Sequence, residues 1–126
     1  MDATLPKAER LCGKTAVVSL FEAGKNASAG CLRCKYLLRA DEAPSRIVVS
    51  VPKRSFKRAV KRNLLKRRMR ESYRRQKALL GPGLDILFIY TSPEVKPYED
   101  IYADMTALLS AVAAREMQSS ENQKDI

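Results

Sequence analysis

Residues 57 to 75, KRAVKRNLLKRRMRESYRR, hold ten Lys or Arg and a single acid, Glu71. Fixed cations at that density do one kind of chemistry well: they neutralise the phosphates of a polyanion and release its counterions. From Lys53 to Lys77 thirteen bases stand against one acid, a local balance of +12, in a chain whose total is +10. The remaining residues hold eleven bases and thirteen acids, a balance of −2. The excess is therefore confined to one segment. That is the signature of a local polyanion-binding face, not of a generally basic protein.

Spacing sharpens the reading. At about 100° per helical residue, Leu65, Met69, Tyr73, Gln76 and Leu80 share one side and form the predicted core face. Asn63, Arg67, Arg70 and Arg74 share another, while Lys57, Lys61, Arg68 and Arg75 spread over the flank. A merely solvated helix would interleave acids and bases, gaining a few tenths of a kcal/mol per i,i+4 pair. Here like charge stacks on like charge, at a cost to the isolated fold that a phosphate backbone would offset. Arginine dominates the later turns, and its planar fork reaches two phosphate oxygens or stacks on a base. Both modes suit folded or single-stranded RNA. A membrane-surface helix would need bulky apolar residues exposed opposite the charge, and a bZIP basic region would run on into leucine heptads, whereas Gly81-Pro82-Gly83 stops this helix. A structural ribosomal protein, or another RNA-binding protein with no linked reaction, remains open at this point.

Independent catalysis has little to work with. The chain contains no histidine. No Walker glycine loop, activated thiol or close carboxylate pair in the basic segment is present. Cys12, Cys31 and Cys34 are too few and odd in number for a disulfide framework. Cys31-Leu32-Arg33-Cys34 spells C-x-x-C, but zinc needs four ligands. Read as part of a strand, the pair points to opposite faces. Ordinary reduced thiols are expected, and no metal site on the protein.

The elements that must hold the basic row can be read in order. With 126 residues, one domain over 1–126 is expected, with an ordered core from about 10 to 114. A helix is predicted over Lys14 to Ala23, with Gly24 as its stop, then a turn or short edge strand over 25–30. Strands are predicted over Leu32 to Arg39 and Arg46 to Val51, with a turn at Pro44 between them. The basic helix is expected from Ser55, as N-cap, to Leu80. Leu84 to Tyr90, LDILFIY, reads as the central strand. Pro97 opens a last helix whose Tyr98, Ile101, Tyr102, Met105, Leu108, Leu109 and Val112 repeat on one face, with fraying expected beyond Ala114. The result is an α+β fold with helices packed on a small sheet. No secretory signal and no apolar run long enough for a membrane span is visible, so a cytoplasmic protein without membrane contact is expected.

Ala59-Val60-Lys61-Arg62-Asn63, Lys66-Arg67, Arg70-Glu71 and Tyr73-Arg74 together resemble the signature helix of the bacterial ribonuclease P protein component, A-V-x-R-N-R-x-K-R-x-x-R-E followed by an aromatic. Arg46 to Arg54, RIVVSVPKR, resembles the family's strand ending in S-V-x-K-K or S-V-x-K-R, and Leu20 to Gly24 resembles the end of its first helix. The resemblance covers about residues 10 to 114. Leu64 stands where the family has the second Arg of R-N-R, Arg68 stands at a usually apolar position, and Val17 replaces a frequent aromatic. The resemblance implies a small, mainly antiparallel four-stranded sheet in the order α-β-β-β-α-β-α, with a left-handed crossover through the basic helix, against the common rule. It implies a protein subunit of ribonuclease P, an RNA-binding partner of a catalytic RNA that, with Mg2+, removes the 5′ leader from precursor tRNA. Its partners would be the ribonuclease P RNA subunit and precursor tRNA, with no obligate protein partner and no catalytic residue in the protein. The basic positions implied as RNA contacts are Lys53, Arg54, Lys57, Lys61, Arg62, Asn63, Lys66, Arg67, Arg70 and Arg74. Phe21 and Tyr36 are implied as candidates for lining a cleft that holds the leader. The residue pattern alone would place Phe21 in the core, the usual fate of an aromatic on an apolar helix face. In a basic cleft it could instead stack a base for roughly 1–3 kcal/mol.

Overall fold

The computed structural model describes residues 14–38 and 44–124. Helix α1 (Lys14–Ala23) leads into strands β1 (Lys25–Ala29), β2 (Leu32–Leu38) and β3 (Arg46–Ser50). Helix α2 (Ala59–Gln76) carries the basic segment and tightens into a 3-10 turn over Lys77–Leu79. Strand β4 (Leu84–Tyr90) and helix α3 (Tyr98–Lys124) complete the chain. The strands form one sheet in the order β1-β2-β4-β3. β2 pairs antiparallel with both β1 and β4, and β3 runs parallel to β4. The basic helix is thus the connection between the two parallel strands.

The apolar pattern decides the layers. In β2 and β3 burial alternates, so each strand gives one set of residues to each face. β4 is buried on both faces, as its unbroken apolar run requires of a central strand. Leu32, Cys34, Ile47, Val49, Ile86 and Phe88 meet Leu65, Met69 and Tyr73 of α2 and Ile101, Met105, Leu108 and Leu109 of α3 in the main core. On the other face Leu20 of α1 packs with Leu87, Leu37, Val48 and Ile89. Two helices therefore cover one face, and one short helix covers part of the other.

β3 stops one residue short of Val51 and α2 gives way to its 3-10 turn after Gln76; three larger departures from the sequence expectation each have a tertiary or local reason. The basic helix starts at Ala59, not at Ser55, and its N-cap is Arg58 with no side-chain cap. The chain first turns at Pro52, whose carbonyl accepts from the amides of Ser55 and Phe56. That turn buries Phe56 against Tyr90, ring centroids 5.8 Å apart. The expected fraying beyond Ala114 is replaced by helix as far as Lys124. Residues 115–124 are polar but contain no Gly or Pro to stop a helix. The expected C-x-x-C strand geometry does not form either. Gly30 and Cys31 make the two-residue turn between β1 and β2. Gly30 has φ +56, a left-handed conformation that glycine adopts without cost. A Cβ at this glycine would also collide with the Asp104 carboxylate, which accepts the Cys31 amide at 2.9 Å.

Candidate nucleic-acid interface

Helix α2 has two chemically opposite sides. Leu65, Met69, Tyr73 and Gln76 are buried and Leu80 beyond the helix is buried too, which is the face expected from the sequence; Ser72 is buried beside them. Asn63, Arg67 and Arg70 are exposed on the far side, and Arg74 continues their row at the rim of the packing surface. Lys53, Arg54 and Lys57 are exposed in the turn that precedes the helix, and Lys61 in its first turn. Lys66 is half-buried on the flank.

Two members of the expected set also have structural tasks. One Nη of Arg62 donates to the carbonyls of Phe56 and Lys57 at 2.7 and 2.8 Å. It covers carbonyls at the entrance of a helix that has no side-chain cap, and its other donors stay available. Arg74 donates through Nε and Nη2 to Glu71 at 3.2 and 2.5 Å, and Arg75 donates through Nε to the same carboxylate at 2.8 Å. Hydrogen bonds from Arg74 and then Arg75 hold the Glu71 carboxyl down to about 2. Arg68, at the position where the family pattern is usually apolar, donates to the Lys96 carbonyl at 2.5 Å and ties α2 to the loop before α3.

A second basic surface lies on the α1 side of the sheet. Phe21, in the last turn of α1, is 51% exposed and Val18, one turn earlier, is 50% exposed. The Phe21 ring is therefore outside the core, unlike the burial that its apolar helix suggests. Lys35 of β2 sets its Nζ 5.2 Å from the centre of that ring and 3.4 Å from the Phe21 carbonyl. Arg33 is exposed, two residues away on the same face of the strand. Asn26 and Ser28 of β1 stand opposite Lys35 and Arg33 in the ladder. The result is an apolar ledge beside two cations and two small polar groups, a surface that can hold both a base and its phosphate.

Tyr36 does not belong to this surface, which corrects the expectation placed on it. It falls on the other parity of β2, is fully buried, and faces the α3 side. Its hydroxyl lies 3.5 Å from Nη1 of Arg115, which also donates to the Asn26 carbonyl at 2.6 Å. Arg33 and Lys35 were missed as candidates, although alternation in LRCKYLL already sets them opposite Leu32, Cys34 and Tyr36.

The remaining chemistry is quiet. Cys31 and Cys34 are free and buried. Burial, reinforced at Cys31 by a hydrogen bond with Asp104, pushes both thiols up to about 12. Neither is a thiolate at neutral pH. Cys12 lies outside the described residues. Among those residues no group of three or more carboxylate, thiol or imidazole side chains could hold a metal ion. No described helix is long and apolar enough to cross a membrane.

Comparison with known proteins agrees with this arrangement. The Ribonuclease P family profile matches residues 5–113. The ribonuclease P protein component of Porphyromonas gingivalis is 36% identical over 118 residues, covering 86% of each chain. That of Chlorobaculum tepidum is 40% identical over 85 residues, covering 64% of this chain and 55% of its own. In fold, the RNase P protein of Staphylococcus aureus superposes with a TM-score of 0.74 at 21% identity, covering 84% of this chain and 96% of its own. The RNase P protein of Thermotoga maritima gives 0.72 at 24% identity, covering 82% and 96%. The chain belongs to the ribonuclease P protein family.

Proposed function

We propose that the protein serves ribonuclease P as its RNA-binding subunit in 5′ maturation of precursor tRNA, with bond cleavage carried out by the partner RNA. One observation carries this reading: an exposed row of guanidinium and amide groups, Asn63, Arg67 and Arg70, continued by the half-buried Arg74, on a helix whose opposite side is anchored in the core. The row would lie along the RNA subunit, and Lys53, Arg54, Lys57 and Lys61 would extend the contact past the helix start. Arg62 and Lys66 would reach it from the flank. Magnesium, held by the RNA, would supply the activated water and stabilise the leaving oxygen; the protein's described side chains offer no donor cluster for a resident ion. The protein's own residues bind and position. The ledge of Phe21 with Arg33 and Lys35 would hold the single-stranded leader, one ring against a base and two cations against its phosphates.

The test is reconstitution. Purified protein is added to a ribonuclease P RNA at magnesium too low for the RNA alone, and cleavage of the 5′ leader from precursor tRNA is followed. Restored cleavage at the mature 5′ end supports the reading. A protein that binds the RNA but leaves cleavage unchanged would instead be a structural RNA-binding protein.

A further inference from the structure

Glu71 is the one acid between Lys53 and Lys77. On a surface that binds phosphate, a carboxylate repels its ligand, so it needs a reason to be there. Its surroundings supply one. Three N–H donors, two from Arg74 and one from Arg75, converge on it from the next turn of the same helix. Its side chain is 19% exposed, whereas those of Arg74 and Arg75 are 39% and 58% exposed. The anion lies beneath its two cations. Arg75 spends only Nε on the contact, leaving both Nη groups, and Arg74 keeps Nη1.

We propose that Glu71 is a positioning residue whose carboxylate clamps Arg74 and Arg75 into one rigid double fork presented to the RNA partner. The inference rests on the reading of the protein as the RNA-binding subunit of ribonuclease P. Two flexible arginines lose side-chain entropy when they settle on a phosphate, and a fork already fixed in the free protein has less to lose. The carboxylate's repulsion of phosphate is small beside this, because its charge is covered by the groups it holds. The spacing makes the clamp possible: positions i+3 and i+4 lie on either side of residue i one turn along.

The competing role is ordinary helix support by i,i+3 and i,i+4 pairs, and the two roles predict opposite signs. Glu71→Gln removes one negative charge. If Glu71 only supports the helix, the folded variant binds all RNA equally or more tightly. If it positions the fork, the variant binds ribonuclease P RNA more weakly despite its greater positive charge, by roughly threefold to tenfold for the freed side chains. It binds polyuridylate, which imposes no fixed geometry, as tightly as before or more tightly. Arg75→Lys keeps the charge but loses the Nε link, and should show the same selective loss. Because Glu71 still holds Arg74 in Arg75→Lys, the double variant should bind ribonuclease P RNA more weakly than Arg75→Lys alone. Affinities are measured for wild type and the three variants against both RNAs, with circular dichroism melts to establish folding. Retained or tighter binding of ribonuclease P RNA by folded Glu71→Gln overturns the clamp. Should Glu71→Gln not fold, undiminished affinity of Arg75→Lys overturns it equally. A wild-type protein that does not prefer ribonuclease P RNA to polyuridylate overturns the functional reading itself, and the clamp with it.

Discussion

Phe21→Ala separates a leader-binding surface from a piece of core. With 51% of Phe21 exposed, about half of an aromatic side chain of ~200 Å² is covered. At about 25 cal/mol/Å² that corresponds to no more than ~2.5 kcal/mol, less what the Ala methyl retains, so a loss of about 1–2 kcal/mol is expected. The contact with the Lys35 ammonium at 5.2 Å is already within that range. In a melt the substitution should lower Tm by about 4–8 °C, too little to unfold the protein at 25 °C. The RNA effect is different in kind. Mature tRNA has no leader, so a stacked leader base contributes only to precursor binding. Losing it should weaken precursor affinity by roughly tenfold to a hundredfold, the worth of one base–aromatic stack, and leave product affinity and assembly with the RNA subunit nearly unchanged. Affinities of the reconstituted complex for precursor and mature tRNA are measured beside the melt. Equal losses for the two RNAs, whatever their size, would refute the stacking role.

The basic row and the core make further demands. Arg67→Ala, on the exposed side of α2, should keep the melting temperature and lower the log–log salt slope for ribonuclease P RNA by up to about 0.7–0.9, the share of one phosphate; an unchanged slope would mark Arg67 as solvated only. Leu65→Ala, at a position with no exposure, should cost about 2–5 kcal/mol in a denaturant titration while the folded fraction keeps its slope. Because Glu71 is held down to about 2, below its value in the unfolded chain, its contribution to stability is present above about pH 4.3 and is lost as pH falls towards 2. An acid titration of wild type against Glu71→Gln should show that extra loss in wild type alone. In a Cys12→Ser background, Cys31 and Cys34, both pushed up to about 12, should react with a thiol reagent at pH 8 only after denaturant is added.

Much of the fold was legible because contrast along the chain is strong. LDILFIY could only be a strand buried on both faces, and its bounds agree with β4 residue for residue. The core face of α2 followed from helical geometry, because Leu65, Met69 and Tyr73 stand out among cations. What was not legible depends on residues far away in the chain. The start of α2 is set by Phe56 turning inward to meet Tyr90 of β4, and no local signal near Ser55 reports a partner beyond residue 80. Tyr36 could not be assigned to a face from β2 alone. Its parity was visible, but which face α1 covers is decided by Leu20 meeting Leu87 and Ile89.

The same reasoning explains why the two parts of the candidate interface differ in legibility. The α2 row is written in charge, and charge that costs stability must have a ligand to answer it. Phe21 carries no such signal, since an aromatic on an apolar helix is ordinarily core. In the structure α1 (Lys14–Ala23) seats Leu20 on the sheet and leaves Val18 and Phe21 half uncovered. The uncovered ring then stands beside Arg33 and Lys35 because period-2 alternation puts both on the α1 face of β2. The sheet thus separates two basic surfaces, with α2 and α3 on one side and α1 on the other. On the proposed reading, the RNA subunit and the precursor leader would then meet different sets of cations, one on each side of the sheet.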